Sequence, residues 1–308
     1  MTLAVEITNL HKRYESGTIA LRGIDLAVPK GQFLGLLGPN GAGKTTTIGA
    51  TTGLIRITEG QVKVMGYDVV RQFRQARRQI GVAAQDLNFD WFFPIHDLMV
   101  LQAGYYGVPR GTAMTRTDQL LEEFGLGAKA ASKPRELSGG MKRRFQVARS
   151  LVHDPDLLIL DEPTAGVDVE LRHMLWGYLQ KLNQQGKTII LTTHYIEEAE
   201  KLCERVAIID GGNIITEGSP KELMASMNRD GLHFKIDGWN DEAAEALSGF
   251  EHTFDNGELR LLVAQPEARL AEIVTRITDA GATVHDVSIC HATLEDVFIE
   301  LTGHGIDA

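Results

Sequence analysis

Eight consecutive residues, Gly38-Pro39-Asn40-Gly41-Ala42-Gly43-Lys44-Thr45, fit the spacing G-x-x-x-x-G-K-[ST] without a mismatch. They stand between an apolar strand pattern, QFLGLL, and a helix-compatible run, TTTIGATTGL, which is the context the motif requires. Glycines let the backbone curl so that successive N–H groups point inward, and the helix N-terminus adds positive potential. In such a cradle Lys44 reaches the β and γ phosphates of a nucleoside triphosphate and the Thr45 hydroxyl binds Mg²⁺. Gly38 to Thr45, with Thr46 next in line, form the candidate nucleotide-binding set. A second element with chemistry is LLILDE, an apolar strand that delivers Asp161 and Glu162 at its carboxyl end, where open α/β sheets bind ligands. Asp161 is the candidate for the metal side of the phosphate site. Glu162, immediately after it, is placed to polarise a water in line with the γ-phosphorus, as a general base does. A third element, LSGGMKRR, lies almost a hundred residues after the first loop. Ser138 is a good N-cap, and Gly139 and Gly140 leave the first helical N–H groups bare, so this too is built like an anion site. On the residues alone a capped helix packed on the core is the favoured alternative.

The elements that must position these groups follow from the apolar pattern. Two alternating segments, LAVEITNL and ALRGIDLAVP, open the chain as strands. Apolar strands at residues 157–160 and 188–191 flank the helical pattern VELRHMLWGYLQKLNQQG. Strands apolar on both faces imply a parallel sheet covered by helices on both sides. Residues 86–150 form a helical insertion, with an aromatic cluster at Trp91, Phe92 and Phe93. Met141, Phe145, Ala148 and Val152 share one face of the helix after LSGG, leaving the basic residues 142–144 on a solvated or interface face. Around residue 220 the character changes. Strand, helix, a hairpin through Asn256-Gly257, helix, strand and a last helix follow, a βαββαβ order expected of a small ferredoxin-like domain. The expected organisation is a P-loop α/β domain over residues 1–220 and an accessory α+β domain over 221–308.

Bulk properties narrow the class. The chain has 308 residues, 43% of them apolar, enough for two ordinary cores. Its 41 acidic against 31 basic side chains leave a formal charge of −10, which opposes long-range attraction to nucleic acid. Two cysteines, Cys203 and Cys290, give neither a disulfide framework nor a metal site. Cys290 and His291 adjoin each other but lack further metal-ligand spacing and read as structural. The N-terminal MTLAVEITNLHKRY lacks the order of a signal peptide, and no apolar run approaches 18 residues. A cytoplasmic location is expected, with any membrane role through a partner.

The P-loop, LSGG, LLILDEP and a following His, in this order, resemble the nucleotide-binding subunit of an ABC transporter over residues 4–220. That resemblance implies two cassettes paired head to tail, so that Ser138, Gly139 and Gly140 close over the ATP held by the other copy's P-loop. It also implies that Tyr14 stacks on adenine and that Gln85 contacts Mg²⁺ and the attacking water. His194 is implied as the switch histidine at the γ-phosphate, and Asp168 as the acidic member of a loop, residues 163–168, that crosses the dimer interface. Met141 departs from the family's commoner Gln; it has no amide to offer. SGGMKRR, LTTHYIEEAEKLC and ATLEDVFIELTG are similar to the ABC-2 exporter group, closest to multidrug-type efflux ATPases. A separate polytopic permease subunit is then implied, docking on the helical insertion; Trp91, Phe92 and Phe93 are candidates for that contact or for core aromatics beneath it. A soluble ABC ATPase of translation or DNA repair is the alternative. Such relatives carry two cassettes or a long coiled coil, neither of which is present in this sequence. A P-loop kinase or GTPase would leave LSGG and His194 unexplained.

Overall fold

A computed structural model describes residues 2–85, 90–227 and 230–305. The expected start of the helical insertion at Asp86 lies outside the described residues. The chain forms two compact units that divide after Gly218. That is two residues before the expected boundary, because Ser219 caps and Pro220 opens the first helix of the second unit.

The first unit runs β1 (Leu3–Arg13), β2 (Ile19–Pro29), β3 (Phe33–Leu37), α1 (Lys44–Thr51), β4 (Glu59–Val64), β5 (Tyr67–Asp68), α2 (Phe73–Arg78), β6 (Ile80–Ala83), α3 (Ile95–Tyr105) and α4 (Arg110–Glu123). It continues with α5 (Gly139–Ser150), β7 (Leu157–Asp161), α6 (Val169–Gln184), β8 (Thr188–Thr193), α7 (Ile196–Leu202), β9 (Arg205–Asp210) and β10 (Asn213–Gly218). Six strands form one sheet in the order β10-β9-β3-β8-β7-β6, parallel except for the edge strand β10. β3, β7 and β8 are buried along their whole length, as strands covered on both faces must be.

The cover is not helical on both sides, as the sequence pattern implied. β2, β1, β4 and β5 form a separate antiparallel sheet. Its apolar face, including Val5, Ile7, Leu26, Val28, Val62 and Val64, packs with α1 residues Ile48 and Ala50 against Leu34, Leu36, Ile159 and Ile190 of the parallel sheet. Alternating strands such as β1 bury one face only, and that face needs a partner layer. The other face belongs to helices. Gly35, between Leu34 and Leu36, would place a Cβ 2.9 Å from Cys203 Sγ at the end of α7, and one on Gly81 would lie 2.3 Å from the Ser150 carbonyl of α5. At those two glycines a helix approaches the sheet too closely for a side chain to stand between them. Each leucine fully buried in such a layer contributes about 1.5–3 kcal/mol.

Register fixes what meets at the end of this sheet. Leu37 pairs with Thr193, Asp161 with Thr192, and Ala83 with Leu160. The residues just beyond these strand ends are therefore brought together: the loop from Gly38, Glu162, His194 and Gln85.

The second unit comprises α8 (Pro220–Ser226), β11 (Gly231–Asp237), α9 (Asp241–Ala246), β12 (Glu251–Asp255), β13 (Glu258–Leu262), α10 (Pro266–Asp279), β14 (Thr283–Cys290) and α11 (Leu294–Thr302). Its sheet is antiparallel in the order β12-β13-β11-β14, the ferredoxin-like arrangement expected. Asn256 and Gly257 take φ of 49° and 84°, the left-handed pair a two-residue hairpin turn needs. Leu232, Phe234, Ile236, Leu259, Leu261, Ile273 and Ile277 form its core. Among the described residues no helix is long and apolar enough to cross a membrane.

Candidate functional site

A cleft of about 120 Å³ opens at the carboxyl ends of β3, β6 and β7, lined by Pro39, Asn40, Gly41, Gly43, Lys44, Thr45, Thr46, Gln85 and Glu162. Its floor is the glycine-rich loop. Gly41 and Gly43 have φ of 82° and 116°, conformations that L side chains rarely adopt. Gly38 is fixed by proximity, since a Cβ there would lie 2.2 Å from the Ile209 carbonyl oxygen. Ala42 is buried in the core beneath the loop. α1 starts at Lys44 with no side-chain cap, so its first N–H groups face the cleft unshielded. Lys44 is buried and folds back to donate to the carbonyls of Gly38 and, at 3.1 Å, Pro39. Burial lowers its pKa, while Glu162 and Asp161 oppose the shift. Thr45 is exposed to the cleft and Thr46 accepts or donates at 3.3 Å to the Tyr14 hydroxyl. Tyr14 is 38% exposed, with Lys12 Nζ 4.7 Å from its ring centroid.

The acidic wall is more tightly organised. Asp161 is buried, and Thr192 donates its hydroxyl to Oδ1. Burial pushes the Asp161 carboxyl up, with Glu162 adding to the shift and Thr192, Lys44 and Arg143 opposing it. Glu162 sits at φ 49°, a left-handed conformation that costs a non-glycine residue roughly 1–2 kcal/mol. Its N–H is tied to the Thr192 carbonyl at 3.0 Å. Its carboxylate is held from both sides: Gln85 Nε2 donates to Oε2 at 2.9 Å, and His194 Nδ1 lies 3.4 Å from Oε1. An aimed carboxylate beside an amide and an imidazole, opposite a lysine and a bare helix terminus, can orient a water against a bound phosphoryl group.

Ser138, Gly139, Gly140 and Asp168 do not line this cleft. Ser138 caps α5 by accepting from the Met141 N–H at 3.3 Å. Gly139 has open space where a Cβ would stand, whereas one on Gly140 would lie 2.6 Å from Leu171 Cδ2 of α6. Asp168 caps α6, accepting from the Leu171 N–H at 2.8 Å. Met141 is half-buried.

Three residues escaped the sequence reading. Thr192 supports both Asp161 and Glu162; the polar end of TIILTTH was its signal. Arg143 was expected on a solvated or interface face with Lys142 and Arg144, but it is 5% exposed. The reason is that α5 is packed on more than one side, so that its helical wheel has no free back. Gln146, one turn on, joins it by accepting from Nη1 at 2.8 Å and donating to the Ala84 carbonyl at 2.7 Å. Trp91, Phe92 and Phe93 are 40%, 74% and 53% exposed, so they are surface residues and not core aromatics.

Residues 21–165 match the family described as ABC transporter, and residues 218–302 match the C-terminal domain of DrrA1-3-like ATP-binding proteins. The chain is 40% identical to the "Nod factor export ATP-binding protein I" of Burkholderia orbicola (strain AU 1054), over 97% of each chain. It is 37% identical to the protein of the same name from Cupriavidus metallidurans, over 98% of each. Among solved structures, an ATP-binding subunit of an ABC transporter superposes with a TM-score of 0.68 at 28% identity, covering 73% of this chain and 93% of that one. A dimeric ATP-binding cassette, MJ0796, in a post-hydrolysis state bound to ADP and Pi gives 0.65 at 27%, covering 70% and 98%. Cleft, sheet register and a match running through both units agree: the chain belongs to the ATP-binding proteins of ABC transporters, ATPases of the exporter type with a DrrA-like C-terminal domain.

Proposed function

We propose that this ATPase energises an ABC-2-type exporter through ATP-driven closure of two copies arranged head to tail. In that reading Lys44 and the loop N–H groups bind the phosphates, Tyr14 stacks on adenine, and Glu162 takes the proton of the attacking water. His194 and Gln85 orient water and carboxylate, and Ser138, Gly139 and Gly140 complete the other copy's site, with Asp168 in the loop across the interface. Thr45, Asp161 and Gln85 offer a hydroxyl, a carboxylate and an amide oxygen, the all-oxygen donor set that suits Mg²⁺; these residues would hold the ion. When bound, Mg²⁺ neutralises charge developing on the phosphoryl oxygens. The observation that carries the reading is the carboxylate of Glu162 held between Gln85 and His194. The open space over Gly139 at a Ser-capped helix supports the trans role of the second loop.

The exporter relatives and the absence of a membrane-crossing helix among the described residues support a partner permease. The chain would then sit at the cytoplasmic face, with Trp91, Phe92 and Phe93 as part of the docking patch. None of the relatives described above is named for translation or DNA repair, and a net charge of −10 gives no support to a nucleic-acid partner. Glu162→Gln tests the reading. ATP binding is retained, turnover falls roughly 10²- to 10⁴-fold, and an ATP-dependent dimer accumulates in light scattering. Unchanged turnover overturns the assignment.

A further inference from the structure

One guanidinium ties the helix of the second phosphate loop to the backbone around Gln85 and Glu162. Arg143 lies on α5, the helix capped by Ser138, four residues and about 6 Å of axial rise beyond Gly139. It donates from Nε to the Pro163 carbonyl at 2.7 Å, from Nη2 to the Asp161 carbonyl at 3.3 Å and from the same nitrogen to the Glu162 carbonyl. Nη1 donates to the carbonyls of Ala84 and Gln85 at 3.0 and 3.1 Å and to Gln146 Oε1 at 2.8 Å. The end of β6, which carries Gln85, and the turn after β7, which carries Glu162, are thus gripped by a single side chain. Only an arginine offers a planar fork with five donors for such a set of acceptors.

The carbonyl it holds at Glu162 belongs to a residue in the left-handed region, and such a conformation persists only when its surroundings over-determine it. Thr192 fixes the N–H side of that residue, and Arg143 fixes the carbonyl side. The carboxylate orientation that follows is the one that meets Gln85 and His194. An α-helix is rigid along its axis, so displacement of the α5 N-terminus moves Arg143 with it.

We infer that Arg143 is a positioning residue that sets the backbone of Gln85 and Glu162 within its own chain, and that it couples closure of Ser138-Gly139-Gly140 on the partner's nucleotide to the geometry of its own chain's Glu162. The inference rests on the head-to-tail reading above. It differs from a role in supporting the Ser138 loop, because that role would impair the partner's site, whereas this one impairs the site built on the same chain's Glu162.

Mixed dimers of full-length chains carrying two different affinity tags separate the two. In the first pairing one copy carries Arg143→Lys and the other Glu162→Gln, so the competent site uses the Glu162 beside the altered Arg143. In the second, one copy carries both substitutions and the other neither, so the competent site pairs an intact Arg143 and Glu162 with the altered copy's Ser138 loop. The first pairing is expected to turn over at least about tenfold more slowly than the second. KM for ATP is expected to agree within about threefold, as befits lost positioning with retained binding. Equal turnover in both pairings, with Glu162→Gln homodimers inactive, overturns this inference alone. Full turnover in Glu162→Gln homodimers removes the general-base reading and this inference with it. If Arg143→Lys lowers the melting temperature by more than about 5 °C, Gln146→Leu replaces it in both pairings, with the same ordering expected and equality again overturning the inference.

Discussion

Gln85 donates its side-chain amide to Glu162 Oε2 at 2.9 Å across neighbouring parallel strands. The contact aims the carboxylate and occupies one of the several acceptor sites its two oxygens offer, leaving others for a water. Gln85→Ala removes the aiming group without touching the phosphate cradle. Turnover at saturating Mg-ATP is expected to fall roughly tenfold to a hundredfold, while nucleotide affinity, read by titration with a fluorescent ATP analogue, changes little. A loss confined to affinity would show instead that Gln85 belongs to the cradle.

The head-to-tail arrangement makes a prediction by complementation. A chain carrying Ser138→Ala and a chain carrying Lys44→Ala are each impaired as homodimers. Mixed, they concentrate both defects in one composite site and leave the other intact, because each site takes Lys44 from one copy and Ser138 from the other. Turnover of the mixed dimer should exceed that of both homodimers and approach half that of the unaltered protein. If each site were built from one chain alone, mixing would restore nothing.

What the sequence made legible was whatever depends on local order. The strand–loop–helix around Gly38 to Thr45 is written in consecutive residues, as are Asp161 and Glu162 at a strand end and Ser138 as an N-cap. The second unit's βαββαβ order was legible too, because its amphipathic periods and the Asn256-Gly257 turn are local. What required the structure was neighbourhood between segments. Nothing in the alternation of β1 and β2 says that they form a separate sheet laid over the parallel one. Arg143 illustrates the same limit: flanked by Lys142 and Arg144, it looks like one charge of a solvated run. Its burial follows from carbonyls at Ala84, Gln85 and Pro163, about 20 and 60 residues away in sequence.

His153, just beyond α5, stacks on Tyr106 at 3.6 Å between centroids with 6° between planes, and its Nε2 lies 3.0 Å from the Ile80 carbonyl. Burial lowers its pKa to about 4, although the hydrogen bond to Ile80 and the nearby Asp154 favour the cation. The unfolded chain, with an ordinary value near 6.5, therefore binds a proton more readily than the folded one. The neutral histidine's contribution is complete above pH 6.5 and is lost as pH falls toward 4. Between pH 7.5 and 5 the loss is about 2 kcal/mol. His153→Phe keeps the stack and removes the titration, so its stability should decline less than that of the unaltered protein over this range in urea unfolding. At neutral pH the lost hydrogen bond costs it about 1 kcal/mol. Parallel pH profiles for the two proteins would rule this linkage out.

Glu198 of α7 is fully buried beneath the loop that links β7 to α6. Trp176 Nε1 donates to its Oε1 at 2.8 Å, and the Thr164 hydroxyl lies 3.1 and 3.2 Å from its two oxygens. Burial raises its pKa; hydrogen bonds from Thr193, Trp176 and Thr164 oppose the shift. The carboxylate is thus the point where α6, α7 and residues 163–168 are joined, and those donors are what make it tolerable in the interior. Trp176→Phe keeps an aromatic ring near Lys201 Nζ, which stands 5.2 Å from the Trp176 ring, but deletes one donor together with the volume of the fused ring. A hydrogen bond to a buried charge is worth about 1.5–3 kcal/mol, so the urea midpoint of the variant should fall accordingly at pH 7. The loss should shrink as pH is lowered toward the raised pKa of Glu198, because the protonated carboxyl depends less on the missing donor. Since Thr164 shares that carboxylate, ATP-dependent dimer formation in a Glu162→Gln background should weaken as well. A stability loss that is independent of pH would mean that Trp176 acts through packing and not through Glu198.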